Sequence, residues 1–93
     1  MTPREALRRV ATAVKDGRIE FSAHALEDSM PDDGVTVEDI LHVLIHGERA
    51  IVENDARTKW KVYGPVISGD SYAVVVFFAR DKVVIVVTAH YPP

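Results

Sequence analysis

The chain contains no cysteine. That absence excludes a disulfide framework, a thiolate metal site and a thiol nucleophile, and with them most thiol-based redox chemistry. No apolar run approaches the ~20 residues that cross a bilayer. Met1-Thr2-Pro3-Arg4-Glu5 has no apolar leader core, so a cytoplasmic protein without membrane contact is the expectation. A phosphate-binding glycine loop and a serine-hydrolase elbow are also missing, so no nucleotide or metal cofactor is expected. Nor is there an excess of basic charge: 11 Lys and Arg stand against 14 Asp and Glu, for a net charge of -3. This balance argues against a generally basic nucleic-acid binder and leaves room for a local cationic patch.

What is present is enough apolar residue for a core. Hydrophobic residues make up 47% of the 93 positions and no stretch is of low complexity, so a single domain over residues 1–93 is expected. Thr2-Pro3-Arg4-Glu5 reads as a capping box with proline at the first helical position. Leu7, Val10, Ala11 and Val14 then follow at helical spacing to about Asp16, and Gly17 ends the helix. Arg4, Arg8 and Lys15 lie on one flank of that stripe, either a phosphate contact or a solvated face, while Glu5 and Arg9 form an exposed i, i+4 pair. A short strand, Arg18 to Phe21, leads to Ser22, which can cap a short helix carrying His24, Ala25, Leu26 and Met30. Pro31-Asp32-Asp33-Gly34 reads as a plain turn. Thr36 and Asp39 cap a second clear helix with Val37, Ile40, Leu41 and Leu44 as its buried stripe, and Gly47 stops it. His42 and His46 fall on the solvated side of that helix.

From Glu48 the periodicity changes to two. Strands are expected at about Arg49–Glu53, Thr58–Ile67, Tyr72–Ala79 and Val83–His90, joined by three short polar connections that favour antiparallel pairing in sequence order. In the second of these strands Trp60 and Val62 face one way and Lys59, Lys61 and Tyr63 the other. The last two are apolar on both faces and belong in the middle of the sheet.

Two ends of the chain carry chemistry. His24 sits where a strand meets a helix, a junction that fixes the backbone and offers free N–H groups to an anion. Thr88 and His90, two apart in the last strand, share a face. If that is the face of Lys59, Lys61 and Tyr63, one surface gathers the base, the acid and the cations that metal-free RNA cleavage requires. A bulge between Val83 and Thr88 would change the assignment. Structural roles stand beside these readings: an imidazole bridging helix and sheet, solvated lysines, and tyrosines at a sheet edge.

The order Ile19-Glu20-Phe21-Ser22-x-His24-Ala25, then Gly34-Val35-Thr36-Val37-Glu38-Asp39-Ile40, then Gly47-Glu48, and finally a strand run closing on Val87-Thr88-Ala89 resembles a bacterial family catalogued as domain of unknown function 4258. The resemblance implies kinship with toxin components of toxin–antitoxin pairs, such as the BrnT and RelE groups, which are small ribonucleases with a helical front and an antiparallel sheet. His24 and Thr88 are the positions that transfer. Where the family carries arginines after the histidine-alanine pair, this chain has Asp28-Ser29-Met30-Pro31-Asp32-Asp33. Carboxylates beside a phosphate repel it, so weakened or lost cleavage is expected.

The resulting expectation is an α+β, RelE/BrnT-like domain, with N-terminal helices packed on a four- to five-stranded antiparallel meander. Its activity would be metal-independent endoribonuclease cleavage. His24 and His90 are the candidate proton-transfer groups, Lys59 and Lys61 the phosphate contacts and Thr88 a positioning hydroxyl. RNA and an antitoxin protein are the implied partners. The competing reading is a non-catalytic interaction module that pairs with itself or another protein through its open sheet face or edge.

Overall fold

A computed structural model describes residues 1–93 and shows three helical segments and one five-stranded sheet, an α+β architecture. Helix α1 spans Pro3–Lys15, strand β1 Ile19–Phe21, helix α2 Met30–Asp33 and helix α3 Val37–Ile45. The remaining strands are β2 (Arg49–Val52), β3 (Lys59–Pro65), β4 (Ser71–Phe78) and β5 (Val84–His90). The sheet order is β1-β5-β4-β3-β2. β2 to β5 form the expected antiparallel meander. β1 differs from the expectation of an all-antiparallel sheet, because it pairs parallel to β5, with Ile19 opposite Val84 and Phe21 opposite Val86. The long connection through the whole meander returns β5 to the side of β1, and that geometry is open to either direction of pairing.

The helices cover one face of the sheet. Trp60 and Val62 of β3, Tyr72, Val74 and Val76 of β4, and Val84 and Val86 of β5 meet Ala6 and Val10 of α1 and Ile40, Val43 and Leu44 of α3 in one buried cluster. The approach is close. A Cβ on Gly64 would lie 2.8 Å from the Val43 carbonyl oxygen, so glycine is what lets the end of α3 rest on β3. Both long helices are capped as their sequences suggest: Thr2 accepts from the Glu5 N–H at 3.1 Å, and Thr36 and Asp39 form a reciprocal capping box. Hydrogen bonds from the Thr36 and Ile67 backbone N–H groups hold the Asp39 carboxyl below its ordinary pKa. Such a cap contributes about 1 kcal/mol.

The other sheet face carries no helix. Even so, Ala73 and Val75 in the middle of β4 are buried on it, shielded by the longer side chains of the flanking strands. Coverage of this face therefore comes in part from the strands themselves.

Two local expectations change. Pro31 to Asp33 belong to a helical turn, and Gly34 at φ 66° supplies the left-handed stop that ends it. Just before it, Ala25–Ser29 forms a π-helical turn, closed by the Met30 N–H on the Ala25 carbonyl. A proline ring clashes with the carbonyl four residues back and leaves it without a donor. The wider turn ahead of Pro31 relaxes that conflict, and π-turns of this kind concentrate at functional sites.

Candidate functional site

Ser22 sets the geometry around His24. Its N–H bonds the Val86 carbonyl at 2.9 Å and its hydroxyl donates to the Val87 carbonyl at 2.7 Å, fastening the end of β1 to β5. The same hydroxyl accepts from the Ala25 N–H at 3.1 Å, so it also starts the helical segment. His24 lies between these two anchors, exposed to solvent, with its Nδ1 3.2 Å from Asp28 Oδ2.

Strand β5 contributes the second half. Its ladder shifts between Val75 and Val76 of β4: Val75 faces Thr88 while Val76 faces Val86, which leaves Val87 as the extra residue of a bulge. The bulge has a consequence for the faces. Plain alternation from the buried Val84 and Val86 would turn Thr88 and His90 toward the helices. The bulge instead puts Ala89 in the core and sets Thr88 in a row with Val75 and Lys61, and His90 in a row with Ala73 and Tyr63. Thr88 and His90 thus share the face of Lys61 and Tyr63, and they reach it through the bulge rather than by the plain alternation of the strand.

His24 and His90 line one shallow cleft of about 270 Å³, together with Asp28, Ser29, Asp32 and Asp33. Residues from opposite ends of the chain meet there. The Nδ1 of His90 lies 3.0 Å from the Tyr91 carbonyl oxygen, and since a carbonyl only accepts, that nitrogen carries the proton in this bond. By the same reasoning His24 Nδ1 donates to the Asp28 carboxylate. Each imidazole is thereby left with Nε2 as its unbonded nitrogen. Thr88 does not line the cleft but fixes its wall: its hydroxyl is 2.8 Å from that of Ser29, tying the π-turn to β5.

Lys59 and Lys61 lie elsewhere. They are on β3, two strands from β5 and so ~10 Å away across the sheet. Lys61 is paired with Glu53 at 3.6 Å. Tyr63, in the row of His90, is covered by the Arg49 guanidinium at 4.3 Å from its ring centre. The structure therefore joins His24 to His90, with Thr88 behind them, and leaves both lysines apart.

Two contributors were not singled out from the sequence, Ser29 and Tyr72. Ser29 acts through a hydroxyl bond to β5 that no local pattern announces, and Ser22, expected to cap the short helix and found doing so, adds a hydroxyl bond to β5 of the same kind. Tyr72 is fully buried, yet its hydroxyl donates to Asp33 at 2.8 Å, and the Tyr91 ring meets it edge-on at 4.8 Å. Burial first, and then the bond to Asp33, raise the Tyr72 phenol well above its ordinary pKa. A phenol at the start of the apolar run of a central strand is the available signal. His42, read as solvated, is half-buried instead, with Nδ1 2.8 Å from the Pro65 carbonyl and its ring 4.4 Å from that of His46.

A small α+β domain with one helix-covered sheet face and a two-histidine cleft at the end of its fifth strand is the class these features define. Residues 21–90 match the family described as Domain of unknown function (DUF4258), and the chain belongs to that family. The matched span runs from the end of β1 to His90 and includes the whole cleft. No curated protein and no solved structure matched the chain.

Proposed function

We propose that the chain is a toxin-like, metal-independent endoribonuclease of the BrnT and RelE kind, attenuated by the carboxylates around its cleft. The observation that carries this reading is the meeting of His24 and His90 on one open surface, each with Nδ1 engaged and Nε2 unbonded. One imidazole takes the proton of a ribose 2′-hydroxyl. The 2′-oxygen then attacks the phosphorus, and the second imidazole, protonated, gives its proton to the departing 5′-oxygen. The products are a 2′,3′-cyclic phosphate and a free 5′-hydroxyl, with no metal required. Asp28 orients His24, as a carboxylate does for a catalytic imidazole. Thr88 positions the wall through Ser29.

Three carboxylates in the cleft work against a phosphate, which is why the activity is read as weak. Incubation of mixed RNA with purified protein in excess chelator tests the reading. Cleavage with cyclic-phosphate ends is expected from the native chain, with a loss of about a hundredfold for His24→Ala and for His90→Ala. RNA equally stable with all three proteins and with none would rule it out.

One observation favours a second reading, a non-catalytic interaction module. Ile51 and Phe77 stand 41% and 38% exposed on the sheet face that has no helix. A concentration-dependent dimer broken by Phe77→Lys, in a protein without RNA cleavage, would support that module instead.

A further inference from the structure

At the end of β5 away from the histidines, the second half of α1, the start of β1 and the β4–β5 turn enclose a cleft of about 420 Å³. Arg8, Arg9, Arg18 and Lys82 line it, and Asp16 is its one carboxylate. Phe78, Ala79 and Val84 form an apolar wall beside the cations. None of the four cations is ion-paired, since the only ion contacts in the molecule are His24–Asp28 and Lys61–Glu53. In a chain of net charge -3 this is a concentration of unspent positive charge.

The turn that delivers Lys82 is unusual in its residues. Asp81 and Lys82 have φ 59° and 61°, and the Val83 N–H closes the turn on the Arg80 carbonyl at 3.2 Å. Two consecutive left-handed residues in a hairpin turn are most easily Asn-Gly. Here lysine takes the position that glycine would occupy with less strain, and it brings a cation to the cleft. Arg18 braces the turn by donating to the Asp81 carbonyl at 2.8 Å, which holds its guanidinium in place with other N–H groups unused.

We propose that this cleft binds the 5′-phosphate of a ribonucleotide, with Arg8, Arg9, Arg18 and Lys82 around the phosphate and the half-buried Phe78 and Ala79 against the sugar and base. Guanidinium forks match phosphate oxygens and tolerate desolvation better than ammonium groups do. A bare phosphate ion would leave most of the space unfilled, whereas the volume lies in the ~300–1,000 Å³ range of sites for small organic ligands. The phosphate belongs either to a free mononucleotide or to the end of an RNA strand, which present the same chemistry to the cations. The site shares no residue with the histidine cleft and so stands or falls separately from it, while the choice of a ribonucleotide rests on the ribonuclease reading.

Calorimetric titration with the four ribonucleoside 5′-monophosphates, their nucleosides, and a trinucleotide with and without 5′-phosphate tests the proposal. At least one monophosphate should bind about tenfold or more tightly than its nucleoside, and binding should weaken with salt. Arg18→Gln and Lys82→Gly should each lower the affinity about fivefold or more. Lys82→Gly should also raise the thermal midpoint by relieving the turn, which separates lost binding from lost folding. His24→Ala should leave nucleotide binding unchanged. Tighter binding of the phosphorylated trinucleotide assigns the site to an RNA end, and equal binding assigns it to free nucleotide. Undetectable binding of every monophosphate at millimolar concentration, equal binding of nucleosides, or native affinity in both variants would overturn the proposal.

Discussion

At one end of β5, His24 and His90 share a cleft with Asp28, Asp32 and Asp33; at the other, Arg8, Arg9, Arg18 and Lys82 share one with Asp16 alone. The two lie ~20 Å apart along one strand. A proton-transfer site benefits from a carboxylate that orients an imidazole, and Asp28 does this for His24. A phosphate site benefits from unpaired cations, and Arg8, Arg9, Arg18 and Lys82 at the far end are four of these. The contrast separates imidazoles from unpaired cations, two kinds of group that the proposed ribonuclease would gather around one phosphodiester. Each carboxylate within about 4 Å of a phosphate charge costs ~1 kcal/mol even in bulk water, so the histidine cleft alone is a poor anion site.

The firmest way to break the contrast is to loosen the acidic end from the core. Tyr72→Phe removes the donor that holds Asp33, leaving a half-buried carboxylate without that partner. We expect a loss of about 2 kcal/mol in urea unfolding. The pH dependence has a definite sign. Because the Tyr72 pKa is raised in the folded state, its stabilisation is fully present below the ordinary tyrosine pKa of about 10 and is lost as pH rises toward the folded value. The native protein should therefore lose stability above about pH 10 through this group, and Tyr72→Phe should not show that component.

How far the sequence revealed these two ends depends on how local their causes are. The alternation of Lys59 to Tyr63 identified β3 and its faces, and the caps at Thr2 and Thr36 identified α1 and α3, because each depends on neighbours within a few residues. The parallel pairing of β1 was not legible. A three-residue strand carries no information about which distant strand it joins, and Ile19–Phe21 would look the same beside any edge. The cationic cleft was hidden for that reason. Arg8 was noticeable on α1, but Arg9 looked like the partner of Glu5, and Arg18 and Lys82 become neighbours only once β1 lies beside β5. The bulge at Val87 is foreseeable as a hazard but not as a fact, since the hydroxyl that bonds its carbonyl belongs to Ser22, far back in the chain. The helical turn at Pro31 to Asp33 was masked by residues that serve turns and helix ends equally well.

A smaller change should sharpen the comparison by moving charge between the ends. Asp32 is exposed and makes no hydrogen bond or ion pair, so Asp32→Arg can be made at little cost to folding. Replacing one carboxylate by a guanidinium should raise the rate of RNA cleavage about tenfold at low salt, with the gain fading as salt rises. Cleavage unaffected by this reversal would contradict the proposed attenuation by the cleft's carboxylates.

In the proposed function, the two imidazoles brought together by β1, the π-turn and the bulge of β5 act as one acid–base pair. Its most direct measurement is the pH profile of RNA cleavage under single-turnover conditions in chelator. A bell-shaped profile is expected, with His24→Ala and His90→Ala each abolishing one limb of it. A profile whose two limbs survive both substitutions would contradict the claim.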